Sequence, residues 1–226
     1  MKRLLVLLLL CGGPALAPGS VQAQSSAAFR IYPRAGLIAP DWYLYEHFKN
    51  FVGDGLTEWT RSSLGRAFVA GAGAELRLGH GDVLIRAEAL RSFDSWLSVA
   101  HYQETLRDLF TPPEVLTTYL DVPVTMTMTS VQLVFPTRLE VGPLKPYVLV
   151  GGGGKFYSFG EPTEANDVEA TLPDNGFTWG GDVGAGFTMD FVGLHLDFQA
   201  RDAFNKYWGK MQNDFLYSGS LSVGIF

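Results

Sequence analysis

Residues Phe177–Ala200 read FTWGGDVGAGFTMDFVGLHLDFQA. Every second residue from Trp179 is apolar or small: Gly181, Val183, Ala185, Phe187, Met189 and Phe191. After Val192-Gly193 the series resumes as Leu194, Leu196, Phe198 and Ala200. The residues between them are Thr178, Gly180, Asp182, Gly184, Gly186, Thr188 and Asp190, then His195, Asp197, Gln199 and Arg201. A period of two with one apolar and one polar face is the pattern of a β-strand. A turn at Val192-Gly193 predicts a hairpin with Phe191 opposite Leu194, Asp190 opposite His195, and Gly184 opposite Arg201. A slip of one residue would exchange the faces.

The same period recurs outward from this hairpin. It predicts strands over 28–38, 66–78, 83–93, 125–135, 147–158 and 214–226, eight in all. Polar positions such as Arg30, Tyr32 and Arg34 alternate with Ile31, Pro33 and Ala35, and Glu75 and Arg77 alternate with Ala74 and Leu76. On 83–93, Arg91 interrupts the apolar series. The 125–135 segment is the least regular. GHGD (79–82), the stretch around Val141–Leu144 and Val192-Gly193 are expected as tight turns. With GHGD as a turn, Glu75 stands opposite Arg86. The other connections, 39–64, 97–123, 159–176 and 205–213, are expected to be long, with one helix-like piece at Tyr102–Phe110.

The chain opens MKRLLVLLLLCGGPALAPGSVQAQSS. A basic start, a short apolar run and the small-x-small site Val21-Gln22-Ala23 predict a secretory signal peptide over 1–23, leaving 24–226 as one domain. Leu10 is too large for a lipoprotein site ahead of Cys11. Cys11 is the only cysteine, so the mature domain carries no disulfide. The net charge is −6, and loss of Lys2 and Arg3 makes it −8. That acidity argues against a nucleic-acid partner.

An apolar face can pack a soluble core or meet lipid. Alanine-rich outward positions (Ala70, Ala72, Ala74, Ala87, Ala89) would fill a soluble core thinly, whereas lipid conforms to any relief. The other face mixes both charge signs with glycine: Glu75, Arg77, Arg86, Glu88, Lys155, Asp182, Asp190, His195, Asp197 and Arg201. This set is expected to form a lumen charge network. Trp42, Trp59, Trp96, Trp179 and Trp208 fall near one set of strand ends, and Phe135, Phe191 and Phe226 near the other. Two aromatic belts are the mark of bilayer interfaces. The fold expected is therefore an all-β, eight-stranded antiparallel up-and-down transmembrane β-barrel, closed because hydrocarbon leaves no unpaired backbone satisfied. A soluble lipocalin-like barrel is the alternative.

RAFVAGAGAELRLG (66–79), VLIRAEAL (83–90), KPYVLVGGGGKFYSF (145–159) and the terminal Phe226 resemble the small outer-membrane barrel family that includes the outer membrane protein A transmembrane domain, the OmpX/Ail type and the opacity-type proteins. The resemblance implies the outer membrane as location, lipid and lipopolysaccharide as surroundings, and recognition of a terminal Phe by the barrel-assembly machinery. Here Leu221, Val223 and Ile225 run one step out of phase with Phe226.

No chemistry is expected. GGGGK (151–155) lacks the spacing and the following Ser or Thr of a phosphate loop. His195 with Asp190 or Asp197 and Ser222 has the composition of a hydrolase triad, but lies at a tight-turn end, far from outer-leaflet substrates. His47, His80 and His101 have no metal-ligand spacing, so no metal and no cofactor is expected. The expected role is a structural or surface-interaction protein acting through long loops. A narrow pore is the second reading, and a lipid-modifying enzyme the third.

Overall fold

The hairpin register read from the opening stretch is present. Phe191 pairs with Leu194, Asp190 with His195, and Gly184 with Arg201. A Cβ on Gly184 would lie 2.7 Å from that of Arg201, so the glycine makes room for the arginine stem. Glu75 pairs with Arg86, and the hairpin closes through Leu78 N–H donating to the Val83 carbonyl at 3.0 Å. The computed structural model describes residues 29–40, 45–51, 56–78, 83–105, 114–139, 141–162, 174–191, 194–207 and 210–223. The signal-peptide expectation over 1–23, the residues of GHGD and of Val192-Gly193, Trp42, Trp208 and Phe226 lie outside them.

The strands are β1 (Phe29–Ala39), β2 (Tyr45–Phe51), β3 (Leu56–Leu64), β4 (Ala67–Arg77), β5 (Leu84–Phe93), β6 (Ser95–Thr105), β7 (Glu114–Pro136), β8 (Leu144–Phe159), β9 (Gly176–Phe191), β10 (Leu194–Tyr207) and β11 (Lys210–Val223). Eight of them close a ring in the order β7-β5-β4-β1-β11-β10-β9-β8, with β8 returning to β7. All pairings are antiparallel. Closure removes the free edges that hydrocarbon would not tolerate.

The remaining three strands change the reading of the connections. Strand β7 is 23 residues long. Its second half pairs with β5, from Arg91↔Thr127 to Leu84↔Val134. Its first half pairs with β6, from Thr105↔Glu114 to Ser95↔Val124. Asp94, with φ of 55°, makes the kink that separates β5 from β6. Strand β6 also pairs with β3, and β3 with β2. The first two hairpins therefore continue past the ring as a four-stranded sheet, β2-β3-β6-β7.

Three expectations are corrected by this. The 39–64 and 97–123 connections are largely strand. Tyr102–Thr105 belongs to β6 and is not helical, because its alternating residues pair across to β3 and β7; 106–110 lie outside the described residues. The 205–213 connection is short, since β10 and β11 pair out to Tyr207↔Lys210.

Side chains on the ring alternate as a membrane barrel requires. Phe29, Ile31, Leu37, Phe68, Leu76, Val131, Val148, Val150, Val183, Phe198, Phe215 and Tyr217 are exposed on the outside. Arg30, Arg34, Glu75, Arg86, Glu88, Lys155, Asp182, Asp197, Arg201 and Asp214 are buried. In a soluble barrel this assignment would be inverted.

Candidate functional site

The lumen has two storeys. Toward the tight turns, charged side chains fill it. Arg34 Nε lies 2.8 Å from Glu88 Oε1 and Arg34 Nη2 lies 2.6 Å from Asp197 Oδ1. Arg86 Nη2 reaches both Glu75 Oε2 and Asp197 Oδ2 at 2.8 Å. Its Nη1 donates to Gln199 Oε1 at 2.9 Å and to the Tyr147 hydroxyl at 3.1 Å. Arg201 Nη1 lies 3.1 Å from both Glu88 Oε2 and Asp182 Oδ2, and donates to Ser130 Oγ at 3.0 Å. Higher up, Lys155 Nζ pairs with Asp214 and donates to Asn205 Oδ1 and the Ala203 carbonyl at 2.7 Å. Among the described residues, the buried cations Arg30, Arg34, Arg86, Lys155 and Arg201 match in number the buried anions Glu75, Glu88, Asp182, Asp197 and Asp214. Buried charge is tolerable only when paired and hydrogen-bonded in this way.

Above Lys155 the lumen is mainly apolar, with Ser92, Thr178 and Gln212 buried among the apolar side chains. Ile38, Val69, Leu90, Met126, Met128, Tyr157, Tyr207 and Leu216 form one cluster with Leu64, Leu97, Val99, Val122 and Val124. The first eight lie on ring strands. The last five lie in the extension or where it joins the ring. The inner face of the extension thus continues the lumen lining, and the Tyr157 and Tyr207 rings stack at 4.5 Å beneath it.

Of the ten lumen residues expected from sequence, seven lie buried inside: Glu75, Arg86, Glu88, Lys155, Asp182, Asp197 and Arg201. Arg77 and Asp190 keep inward parity but are exposed at the turn-end mouth, where His195 is half-buried. There His195 Nδ1 lies 2.7 Å from Asp190 Oδ1, and Lys145 Nζ bonds Asp190 Oδ2 at 3.0 Å. Ser222 is paired to His195 by register. Sequence reasoning placed Arg30 and Arg34 on the polar face but left them, with Asp214, out of the network. Arg34 is 1% exposed and holds two of its acids, so it is central. Its parity with Tyr32 was the available signal.

Among the expected belt residues, Trp96, Trp179, Phe135 and Phe191 are exposed on the outer face. Trp59 is placed differently. It pairs with Tyr102, five residues along β3 from the Leu64↔Leu97 pair next to Trp96. At about 3.3 Å per residue that is roughly 16 Å further along the strand, too far to share one interface with Trp96.

A closed ring of eight antiparallel strands, apolar outside and charge-filled inside, defines a transmembrane β-barrel of the outer-membrane type. Solved structures with this fold include Neisserial surface protein A, 11% identical, with a TM-score of 0.53 over 88% of this chain and 97% of that one. Two weaker likenesses are Ail, the attachment invasion locus protein of Yersinia pestis, in complex with the heparin analogue sucrose octasulfate (10% identity, TM-score 0.40, 86% and 98% covered), and E. coli outer membrane protein W (12% identity, TM-score 0.37, 88% and 100% covered). No family model and no curated protein sequence matches the chain.

Proposed function

We propose that the protein is a closed barrel of the outer membrane whose working part is the sheet it raises beyond the ring. It is a structural or surface-interaction protein, with 24–226 as the mature domain after removal of a leader over 1–23. The observation that carries this reading is the continuation of the first two hairpins into β2-β3-β6-β7, away from the tight turns. In outer-membrane barrels the tight turns face the periplasm and the longer excursions face outward, so the sheet lies on the cell surface. There it meets lipopolysaccharide and external ligands, while the barrel-assembly machinery acts only during insertion.

The lumen supports a support role rather than a conduit. Eight strands leave an interior that side chains can fill. Here one storey is occupied by ion pairs and the next by an apolar cluster. Purified barrel in planar bilayers should show no stable, porin-like conductance. Regular nanosiemens openings would favour the pore reading instead. Protease treatment of intact cells should cut within 106–113, between β6 and β7, and leave the ring whole. Resistance of that segment on intact cells, with cleavage after permeabilisation, would reverse the orientation.

Catalysis finds no support at the best available constellation. Asp190 is shared between His195 and Lys145 at the turn end, which this orientation puts in the periplasm.

A further inference from the structure

Among the described residues, Arg91 is a charge that the lumen network does not absorb. It lies on β5 with its side chain on the outer, lipid-facing surface, between inward Leu90 and Ser92, which are buried. Its cross-strand partners are Ala70 and Thr127. Among the described residues no carboxylate or other group pairs with it, in contrast to every buried arginine of the lumen. One step further toward the extension, the Phe68 and Phe93 rings meet at 6.3 Å on the same face, and Trp96 follows. Arg91 therefore sits just below an aromatic girdle, at the depth where head-groups give way to acyl chains.

The surface beneath it is distinct as well. Going toward the tight turns, the outer face of β4 and β5 presents Ala70, Ala72, Ala74, Ala87 and Ala89. Ala72 pairs with Ala89 and Ala74 with Ala87, ending at Leu76 and Ile85. Five alanines on two adjacent strands make a shallow trough, walled by Ile31 and Pro33 on β1 and by Thr129 and Val131 on β7. From Arg91 to Ala87 it runs four residues, roughly 13 Å, enough for about ten carbons of an acyl chain. An unpaired cation in a lipid-facing surface is costly unless it snorkels to water or meets an anion. The threonines at 127 and 129 add hydroxyl donors beside it.

We propose that Arg91 and the alanine trough form a binding site for a phosphorylated lipid of the outer leaflet. The guanidinium takes the head-group phosphate, with Thr127 beside it, and one acyl chain lies along Ala89 and Ala87. Guanidinium suits phosphate because its planar fork bonds two oxygens at once, which an ammonium cannot do. The inference rests on the orientation proposed above, which puts β5's extension end in the outer leaflet.

The test uses the full mature chain, purified from membranes in a non-ionic detergent, with folding checked by heat-modifiability on a gel. Outer-membrane fractionation of each variant separates a failure of location from a failure of binding. Three probes are titrated and followed by native mass spectrometry: bisphosphorylated lipid A, the same lipid with both phosphates removed, and phosphatidylglycerol. The wild-type chain should prefer the phosphorylated lipid A by about tenfold over the dephosphorylated form, the size of one good charge-assisted contact. Arg91→Leu should remove that preference, and Arg91→Lys should retain only part of it. Ala72→Leu/Ala89→Leu should weaken lipid A binding while keeping the phosphate preference. An unchanged preference in Arg91→Leu, or none in the wild type, would overturn the site and leave Arg91 snorkelling to water. Phosphatidylglycerol binding as tightly as lipid A would overturn its assignment to the outer-leaflet lipid.

Discussion

The two storeys of the lumen are lined by the same strands, in the same inward parity, with opposite chemistry. On β5, Arg86 and Glu88 belong to the charged storey, while Leu90, two residues on, belongs to the apolar one. On β7 the inward series runs Gln132, Ser130, Met128, Met126, Val124 in the same direction. The change comes where the extension begins to cover the ring. Below it, the lumen is narrow and its walls can reach one another with ion pairs. Above it, Leu97, Val99 and Val122 bring a second apolar surface, and a hydrophobic core becomes possible. Strand parity fixes which side of the wall a residue occupies. What the opposite wall offers decides which chemistry suits it.

The largest effect should come from the charged storey. Arg86 is 1% exposed and bridges Glu75 and Asp197. Arg86→Met leaves two buried carboxylates short of a cation, and removal of one partner of a buried pair typically costs about 3–5 kcal/mol. Glu75→Gln should cost less, because Arg86 keeps Asp197. The double variant should recover only part of the loss: position 75 no longer carries charge, but Asp197, although it retains Arg34, has lost Arg86. Urea unfolding in lipid vesicles, followed by tryptophan fluorescence, checks the order. Near-neutral, additive changes would mean that the network is solvated and the lumen open.

The apolar storey should give a smaller response and tests whether the extension is part of the fold. Leu90 is on the ring and Leu97 is in the extension, at 2% and 0% exposure. Burial in one cluster predicts that Leu90→Ala and Leu97→Ala each cost about 2–4 kcal/mol, the usual range for a core leucine. If Leu97→Ala leaves ring stability unchanged while Leu90→Ala does not, the sheet unfolds independently of the barrel and the two storeys do not share a core.

The sequence made the ring legible because lipid imposes contrast: outward Phe, Leu, Val and Ala against inward Glu, Arg, Asp and Gly repeat every two residues. The same rule hid the upper storey. Where the inward face turns apolar and the outward face polar, as with Met126 and Met128 between Thr125, Thr127 and Thr129, the alternation inverts partway along the strand, and the 125–135 segment reads as the least regular. It also hides the extension, whose strands lie beyond the closed ring and lack that contrast; Tyr102–Phe110 has mixed spacing and reads as helix. Glu75, Arg86, Glu88, Asp182, Asp197 and Arg201 were identifiable because charge at an inward position must be paired. The Glu75–Arg86 pair is legible from the hairpin register, but the partners across the lumen are not, since Arg34 reaches Asp197 from a strand 163 residues away in sequence. Such contacts depend on ring closure, which no local pattern carries.

The smallest effect is expected at the turn-end mouth, and it sharpens the contrast with the lumen above it. Lys145, Asp190 and His195 form a cluster with bond lengths like those inside, 2.7 and 3.0 Å. Geometry alone would therefore rank them with Arg86 and Glu75. Their surroundings differ: the side chains of Lys145 and Asp190 are 50% and 42% exposed, against 1% and 7% for Arg86 and Glu75. Water solvates either charge when its partner is removed, so no orphan penalty arises. A double-mutant cycle with Lys145→Met and Asp190→Asn should give a coupling of about 0.2–1 kcal/mol at low salt. It should shrink further as salt rises, because the screening length at 0.1 M is only about 10 Å. The Glu75–Arg86 coupling, shielded by the barrel wall, should hardly respond to salt. Equal, salt-insensitive couplings at both places would mean that the mouth is covered in the membrane, by residues outside those described or by a partner on the tight-turn side.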